Sequence, residues 1–154
     1  MNYNLRSATN TDRTKIENLV FSVLDEYRLK SDPERTDSDL SNIQQSYIDK
    51  GGTFDVLVDE NDNIQGTVGL YRISQTTCEI RKMYLSSSLR GQGLGKKLLT
   101  HALSKAKELG YSRIELETAS VLKEAIGLYE RYGFRQFTRD HLAARCDASY
   151  YIEI

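Results

Sequence analysis

The sequence predicts an α+β fold in which a mixed β-sheet packs against helices. Segments with strand-like and helix-like patterns follow one another in the order β-α-α-β-β-β-α-β-α-β-β. The three consecutive strands in the middle of this order are separated only by short polar turns, which indicates antiparallel pairing. Two later segments have apolar residues at helical spacing, and a strand separates them.

The first third of the chain contains one predicted strand and two predicted helices. The strand covers 3–8, and a helix near 12–29 follows it with apolar residues every three or four positions. The next loop holds Pro33, the only proline of the chain. A second and weaker helix is predicted at about 38–49, where a Gly-Gly pair ends it.

The remaining elements are three strands of a meander, followed by alternating helices and strands. The meander strands are predicted at 54–59, 64–73 and 78–85. A polar, glycine-containing loop then leads to the later elements. These are a helix at 94–109, a strand at 114–118, a helix at 121–132 and strands at 134–140 and 148–154.

The composition is that of one ordinary globular domain. Of the 154 residues 39% are apolar and 28% are charged, so we expect a single domain over 1–154. The net charge of −1 argues against a general nucleic-acid binder. We expect a cytoplasmic protein without membrane contact, because no apolar run could cross a bilayer and no signal-peptide pattern is present. Cys78 and Cys146 cannot form a disulfide framework, and no ligand spacing predicts a metal site.

The most informative segment is the loop that leads into the helix at 94–109. It comprises Arg90, Gly91, Gln92, Gly93, Leu94, Gly95 and Lys96. Its glycines let backbone N–H groups approach a ligand, and the first turn of a helix has unpaired N–H groups and positive dipole character. The segment therefore predicts a site for a phosphate or a diphosphate, to which Arg90 and Lys96 can add charge.

Two common phosphate-binding motifs do not fit this loop. A P-loop requires glycine where Arg90 stands and Ser or Thr where Lys97 stands. A dinucleotide-binding G-x-G-x-x-G loop matches Gly91 and Gly93, but Lys96 occupies its third glycine position. A nucleotide-binding function through either motif is therefore disfavoured.

The loop resembles instead the Q/R-x-x-G-x-G/A motif of the GNAT N-acetyltransferase superfamily, which Arg90, Gly93 and Gly95 match in place. A second stretch, 125–134, resembles the A-x-x-L-Y-E-x-x-G-F pattern of that superfamily. The order of elements is similar over the whole chain. The resemblance implies a GNAT-like, mostly antiparallel sheet of about seven strands with helices on both faces.

The resemblance also implies a function and its binding residues. Similar proteins transfer acetyl from acetyl-CoA, without a metal, to a primary amine of a small molecule or peptide by direct attack in a ternary complex. We expect the pantetheine arm to pair with the strand backbone at Met83, Tyr84 and Leu85, and the diphosphate to bind the loop at 90–96. The implied partners are acetyl-CoA and the amine acceptor, and homodimers are common among similar proteins.

Two residues are candidates for the proton transfers of this chemistry. Glu79 matches in position the base glutamate of histone-acetylating members, and its alternative role is a structural ion pair with Arg81 on the same strand face. Tyr129 matches the family tyrosine that hydrogen-bonds the CoA sulfur, so it is the expected acid. Leu122 stands where many members have an asparagine that contacts the cofactor.

Two questions stay open at the level of sequence. The alternative function is a catalytically inactive, CoA-binding regulatory module, although the presence of both candidate proton-transfer residues favours an enzyme. The acceptor is also open. Four arginines lie on elements that border the acceptor in similar proteins, and such a set can hold an acidic group of the acceptor: Arg28, Arg72, Arg81 and Arg145.

Overall fold

Seven strands form one sheet in the computed structural model, which describes residues 2–154. The strands are β1 (Asn4–Ser7), β2 (Thr53–Val58), β3 (Ile64–Arg72), β4 (Thr77–Leu85), β5 (Arg113–Thr118), β6 (Arg135–Phe137) and β7 (Ala148–Glu153). They lie in the order β1-β2-β3-β4-β5-β7-β6. All neighbours are antiparallel except β4 and β5, which are parallel. The mixed, mostly antiparallel sheet expected from the sequence is confirmed.

Helices cover both faces of this sheet. They are α1 (Arg13–Glu26), α2 (Leu94–Glu108) and α3 (Lys123–Arg131). Alternate residues of a strand point to opposite faces, so neighbours on β2 enter different core clusters. Leu57 belongs to the cluster that contains Leu98 of α2, whereas Val56 belongs to the cluster that contains Val20 of α1.

The segment at 38–49 differs from the continuous helix that its apolar spacing predicts. A 3-10 turn covers Ser38–Ser41 and a single π-type turn covers Gln44–Ile48. Between them Asn42 leaves the helical region, with φ −150° and ψ 84°. Its side-chain carbonyl accepts the N–H of Gln45 at 3.0 Å and so competes with helical backbone bonding. Three apolar side chains of the segment are nevertheless fully buried: Leu40, Ile43 and Tyr47.

Two predicted elements are shorter in the structure. The first helix ends at Glu26 because Arg28 takes a left-handed conformation with φ +56°, and Leu29 N–H closes the helix end on the carbonyl of Leu24. The strand predicted at 134–140 is limited to β6.

The strands β4 and β5 separate beyond the middle of the sheet. Their pairing ends at Ile80 and Leu116, after which β4 continues beside β3 and β5 continues beside β7. A bulge in β4 accompanies the separation, because Lys82 takes φ +54° and the β3–β4 register shifts beside it. The hydroxyl of Thr67 donates to the Lys82 carbonyl at 2.6 Å and holds the bulge in place. A gap therefore opens within the sheet.

Candidate active site

Two cavities meet at the gap between β4 and β5. The large cavity, about 880 Å³, lies between β4, the N-terminus of α2 and α3. The small cavity, about 300 Å³, lies against residues 35–36 and 145–146. Four residues line both cavities and form a shared wall: Met83, Tyr84, Leu122 and Tyr129. The two cavities therefore adjoin at these four side chains.

Gly91 and Gly93 form a cradle at the N-terminus of α2. Their φ angles are +80° and +79°, a left-handed conformation that glycine adopts readily. A Cβ at either position would find no atom within 4 Å, so the space above the cradle is open. Gly93 is also the N-cap residue of α2, and no side chain caps the helix. The N–H groups of the first turn are therefore available to an anion.

Three cations surround the cradle with their charges unpaired. Lys96, Lys123 and Arg131 line the large cavity, and none of them forms an ion pair within residues 2–154. Lys96 belongs to the loop that the sequence singles out. The other two lie at the two ends of α3. Lys123 lies outside the stretch 125–134 and Arg131 occupies a variable position of its pattern, so sequence reasoning missed them. Together they complement the charge of phosphate groups.

Arg90 is occupied by other contacts. Its guanidinium donates to the carboxylate of Glu26 and, at 3.1 Å, to the carbonyl of Leu85. It also lies 5.3 Å from the centre of the Tyr27 ring. These contacts tie the glycine loop to α1 and β4. The Arg90 side chain therefore positions the loop.

The large cavity brings together eight of the ten residues that the sequence assigns to the cofactor. These are Met83, Tyr84, Leu85, Arg90, Gly91, Gly93, Gly95 and Lys96. Gln92 and Leu94 do not line it. The Gln92 amide donates to the Ser88 carbonyl at 3.4 Å, and Leu94 packs against the core beneath α2.

Tyr129 lies in the shared wall and is 5% exposed. Among the described residues, its hydroxyl finds one hydrogen-bond acceptor, the Met83 Sδ atom at 3.9 Å. Thioether sulfur is a weak acceptor, so the hydroxyl can readily turn to a stronger one. Burial, with a smaller contribution from Tyr84, raises the pKa of Tyr129 well above its usual value. The hydroxyl therefore carries its proton at neutral pH.

Glu79 lines the small cavity and is 6% exposed. Its Oε1 accepts the Nε–H of Arg81, so the ion pair that the sequence offered as an alternative is present. Its Oε2 accepts an N–H of Arg139 at 2.6 Å. Arg139 also binds two carboxylates of β5, Glu115 and Glu117, and no motif pointed to this residue. Each Glu79 oxygen has a second lone pair that accepts no hydrogen bond from residues 2–154.

Asp37 joins the two loops at the small cavity. Its carboxylate accepts both terminal nitrogens of Arg145, at 2.6 and 2.9 Å, and Lys82 Nζ lies 3.3 Å away. Asp37 is fully buried. Burial by itself would raise the pKa of Asp37, but the hydrogen bonds from Arg145 and the nearby Lys82 charge hold it below its usual value. The pair connects the loop after α1 to the loop before β7.

The arginines that the sequence places near the acceptor separate into two pairs. Arg81 and Arg145 line the small cavity. Arg28 and Arg72 line neither cavity. A further arginine, Arg35, lines the small cavity from the loop after α1, where no sequence pattern distinguished it.

Cys146 also lines the small cavity. Burial raises its pKa to about 11, and the charge of Glu117 adds to the rise. The side chain is therefore a thiol at neutral pH, and a thiol is a poor nucleophile compared with a thiolate.

Within residues 2–154 no cluster of His, Cys, Asp or Glu is arranged to hold a metal ion. In the same part of the chain no helix is long and apolar enough to cross a membrane.

Comparison with known sequences finds, over most of the chain, the family that the two sequence motifs resemble. The model of the "Acetyltransferase (GNAT) family" matches residues 18–134. The "Uncharacterized N-acetyltransferase YjgM" of Escherichia coli is 37% identical over 134 residues, which cover 84% of this chain and 80% of that protein. Human "N-acetyltransferase 8B" is 30% identical over 104 residues, 64% of this chain and 46% of that one.

Solved structures share the fold over nearly the whole chain. A GNAT-family acetyltransferase of Staphylococcus aureus Mu50 superposes with a TM-score of 0.92 at 26% identity and covers 99% of both chains. A phosphinothricin acetyltransferase of Sinorhizobium meliloti, solved in complex with AcCoA, superposes with a TM-score of 0.77 at 21% identity. It covers 100% of this chain and 89% of its own, and at this identity the likeness is one of fold.

Proposed function

The chain belongs to the GNAT acetyltransferase family, and from this premise we propose that it is an N-acetyltransferase acting on a primary amine of a small molecule or peptide. The family transfers acetyl from acetyl-CoA. The observation that carries the proposal is the shared wall. It divides a large cavity with an anion cradle from a small cavity with charged side chains, so donor and acceptor can meet at Tyr129.

Acetyl-CoA binds in the large cavity in this proposal. Its diphosphate accepts N–H groups of the glycine cradle at 91–96, and the three unpaired cations around the cradle offset its charge. Its pantetheine arm lies along Met83–Leu85. Among residues 2–154 the strand β4 has no partner on its β5 side beyond Ile80, so its backbone can pair with an extended ligand there.

The amine enters through the small cavity and must first lose a proton. A lysine-like amine has a pKa of about 10.4 and is mostly protonated at neutral pH. Glu79 takes this proton, directly or through one water, on an oxygen lone pair that the two arginines leave free. The amine nitrogen then attacks the thioester carbonyl and forms a C–N bond.

The collapse of the tetrahedral adduct breaks the C–S bond and expels the CoA thiolate, and the attacking nitrogen loses its second proton to solvent. Tyr129 donates its proton to this sulfur and is reprotonated from solvent. Its raised pKa suits this role, because the hydroxyl retains its proton until a strong base such as a thiolate forms beside it. The products are the N-acetyl amine and CoA with a free thiol.

One observation favours a second candidate, a CoA-binding module without turnover. Both oxygens of Glu79 already accept a guanidinium N–H, an arrangement that also suits a purely structural carboxylate. The two candidates predict the same binding of acetyl-CoA, and they differ in turnover.

A panel of amines tests the proposal directly. The panel contains amino acids, polyamines, aminoglycosides and short peptides, each incubated with the protein and acetyl-CoA. The expected result is the release of free CoA thiol together with an N-acetyl product detected by mass spectrometry. Binding of acetyl-CoA by calorimetry without thiol release from any amine would favour the module. Failure to bind acetyl-CoA would contradict both candidates.

A further inference from the structure

Two arginines of the small cavity keep N–H donors without an acceptor among residues 2–154, and these donors indicate the class of its ligand. The inference rests on the proposed function, in which the cavity receives the amine acceptor. At about 300 Å³ the cavity is at the lower end of the range for ligand sites, so it admits a small molecule or one side chain. The polar groups of its lining therefore decide what the acceptor carries besides its amine.

The carboxylates that line the small cavity already have donors on every oxygen. Glu79 accepts one guanidinium N–H on each oxygen. Glu117 accepts the backbone N–H of Ala143 at 2.8 Å on one oxygen and an N–H of Arg139 on the other. A second cationic group on the acceptor would have to compete with these guanidinium contacts. The lining thus offers little to a dication.

Two of the four cations of the lining are also satisfied. Lys82 Nζ lies within 3.3 Å of three acceptors, the Thr36 carbonyl and the carboxylates of Asp37 and Asp39. One N–H donor of the ammonium group goes to the Thr36 carbonyl, and the two carboxylates offset its charge. Arg145 directs both of its terminal nitrogens at Asp37.

The other two cations retain free donors. Arg81 uses its Nε–H on Glu79, and its two terminal nitrogens have no acceptor among residues 2–154. Its guanidinium carbon lies 3.6 Å from the centre of the Tyr71 ring, so stacking fixes the orientation of those nitrogens. Arg35, at the exposed edge of the cavity, makes no guanidinium contact within the described chain.

We infer that the acceptor carries a carboxylate close to its amine, as an amino acid does. A carboxylate accepts two N–H groups from one edge of a guanidinium in a planar, bidentate contact. The two terminal nitrogens of Arg81, which have no acceptor among residues 2–154, can form this contact. Arg35 adds a second positive charge on the side from which the acceptor enters. The amine of the same molecule then lies near Glu79, the strand neighbour of Arg81.

The experiment compares matched amines on the wild-type protein. The standard L-amino acids, β-alanine and γ-aminobutyrate are each tested beside their own carboxamide, with acetyl-CoA and thiol detection. The carboxamide has the less basic amine and so more free base, hence a preference for the carboxylate cannot arise from amine deprotonation. We expect kcat/KM of the best amino acid to exceed that of its carboxamide by about 10- to 100-fold, because a charge-assisted contact is lost at a partly exposed site.

Three variants test which arginines cause the preference for a carboxylate over a carboxamide. Arg81→Gln and Arg35→Gln should each lower the acid-to-amide ratio of kcat/KM, Arg81→Gln by about tenfold or more. Arg35→Gln is needed besides Arg81→Gln because it leaves the Glu79 ion pairs intact. The matched control is Arg135→Gln, since Arg135 is exposed on β6 and lines neither cavity. It should keep the wild-type ratio.

The outcomes separate the inference from the proposed function. Equal turnover of carboxamides, polyamines or plain alkylamines would overturn the inference and leave the N-acetyltransferase standing. An acid-to-amide ratio that Arg81→Gln and Arg35→Gln both leave unchanged would also overturn it. The absence of thiol release with every amine would overturn the proposed function and the inference together.

Discussion

Replacing Gly93 by alanine should weaken the binding of CoA much more than it weakens the fold. The alanine Cβ would meet no protein atom within 4 Å, so it would occupy the open space of the cradle, where the diphosphate is proposed to bind. The loss of one charge-assisted hydrogen bond, about 1.5–3 kcal/mol, corresponds to an increase in Kd of about 10- to 100-fold.

The fold also loses some stability in this variant. The φ angle of Gly93 is +79°, and a side chain in the left-handed region costs about 1–2 kcal/mol. For a chain of this size the melting temperature of the free protein should fall by about 2–8 °C. Calorimetric titration with CoA and a thermal melt without ligand measure the two effects separately.

Gly110 provides the matched control for this variant. Its φ angle is +89°, a Cβ there would also meet nothing within 4 Å, and it lines neither cavity. Gly110→Ala should therefore lose a similar amount of stability and keep the wild-type Kd for CoA. Equal affinity of Gly93→Ala and Gly110→Ala for CoA would show that the diphosphate does not bind in the cradle.

Three further predictions concern side chains in or beside the two cavities. Tyr129→Phe should lower kcat by about 10²–10⁴-fold with little change in acetyl-CoA affinity, because the ring still packs and the thiolate loses its acid; an equal kcat, with chemistry shown to be rate-limiting, would remove Tyr129 from the mechanism. Asp37→Asn should lower the free energy of unfolding by about 3–5 kcal/mol at neutral pH, since the buried Arg145 guanidinium loses its carboxylate partner and Lys82 keeps only that of Asp39. Because the pKa of Asp37 is lowered in the folded protein, its contribution to the free energy of unfolding is present above the unfolded pKa of about 4 and is lost as the pH falls through the folded pKa. Urea denaturation should therefore show that the difference in the free energy of unfolding between wild type and variant becomes smaller in acid. A difference that does not depend on pH would contradict this role of Asp37. Cys146, with a pKa of about 11, should be alkylated slowly at neutral pH and faster as the pH approaches that value; rapid alkylation of the folded protein at neutral pH would show that it is a thiolate.

The sequence predicts most of the glycine-loop and strand residues that the structure brings together at the large cavity, because they lie in short local patterns. The glycines of the cradle, the helix start and the tyrosine of α3 each lie within a short stretch whose pattern can be recognised. The apolar periodicity likewise predicts the sheet and the helices that cover it. It fails at 38–49, where the side chain of Asn42 interrupts a segment that has helical apolar spacing.

The acceptor side could not be predicted to the same degree because its contacts join distant parts of the chain. Asp37 and Arg145 are 108 residues apart, and Glu79 and Arg139 are 60 residues apart. No local pattern reports such pairs. The spare donors of Arg81 emerge only when every partner of the surrounding charges is known.

Direct transfer of acetyl from bound acetyl-CoA to the bound amine is tested by initial rates, measured while the concentrations of acetyl-CoA and of the best amine of the panel are both varied. Direct transfer across the shared wall requires both molecules to be bound together, so double-reciprocal plots should intersect, and the protein incubated with acetyl-CoA alone should gain no acetyl group by intact mass spectrometry. Parallel plots together with a covalent acetyl-protein, on Cys146 or elsewhere, would contradict direct transfer.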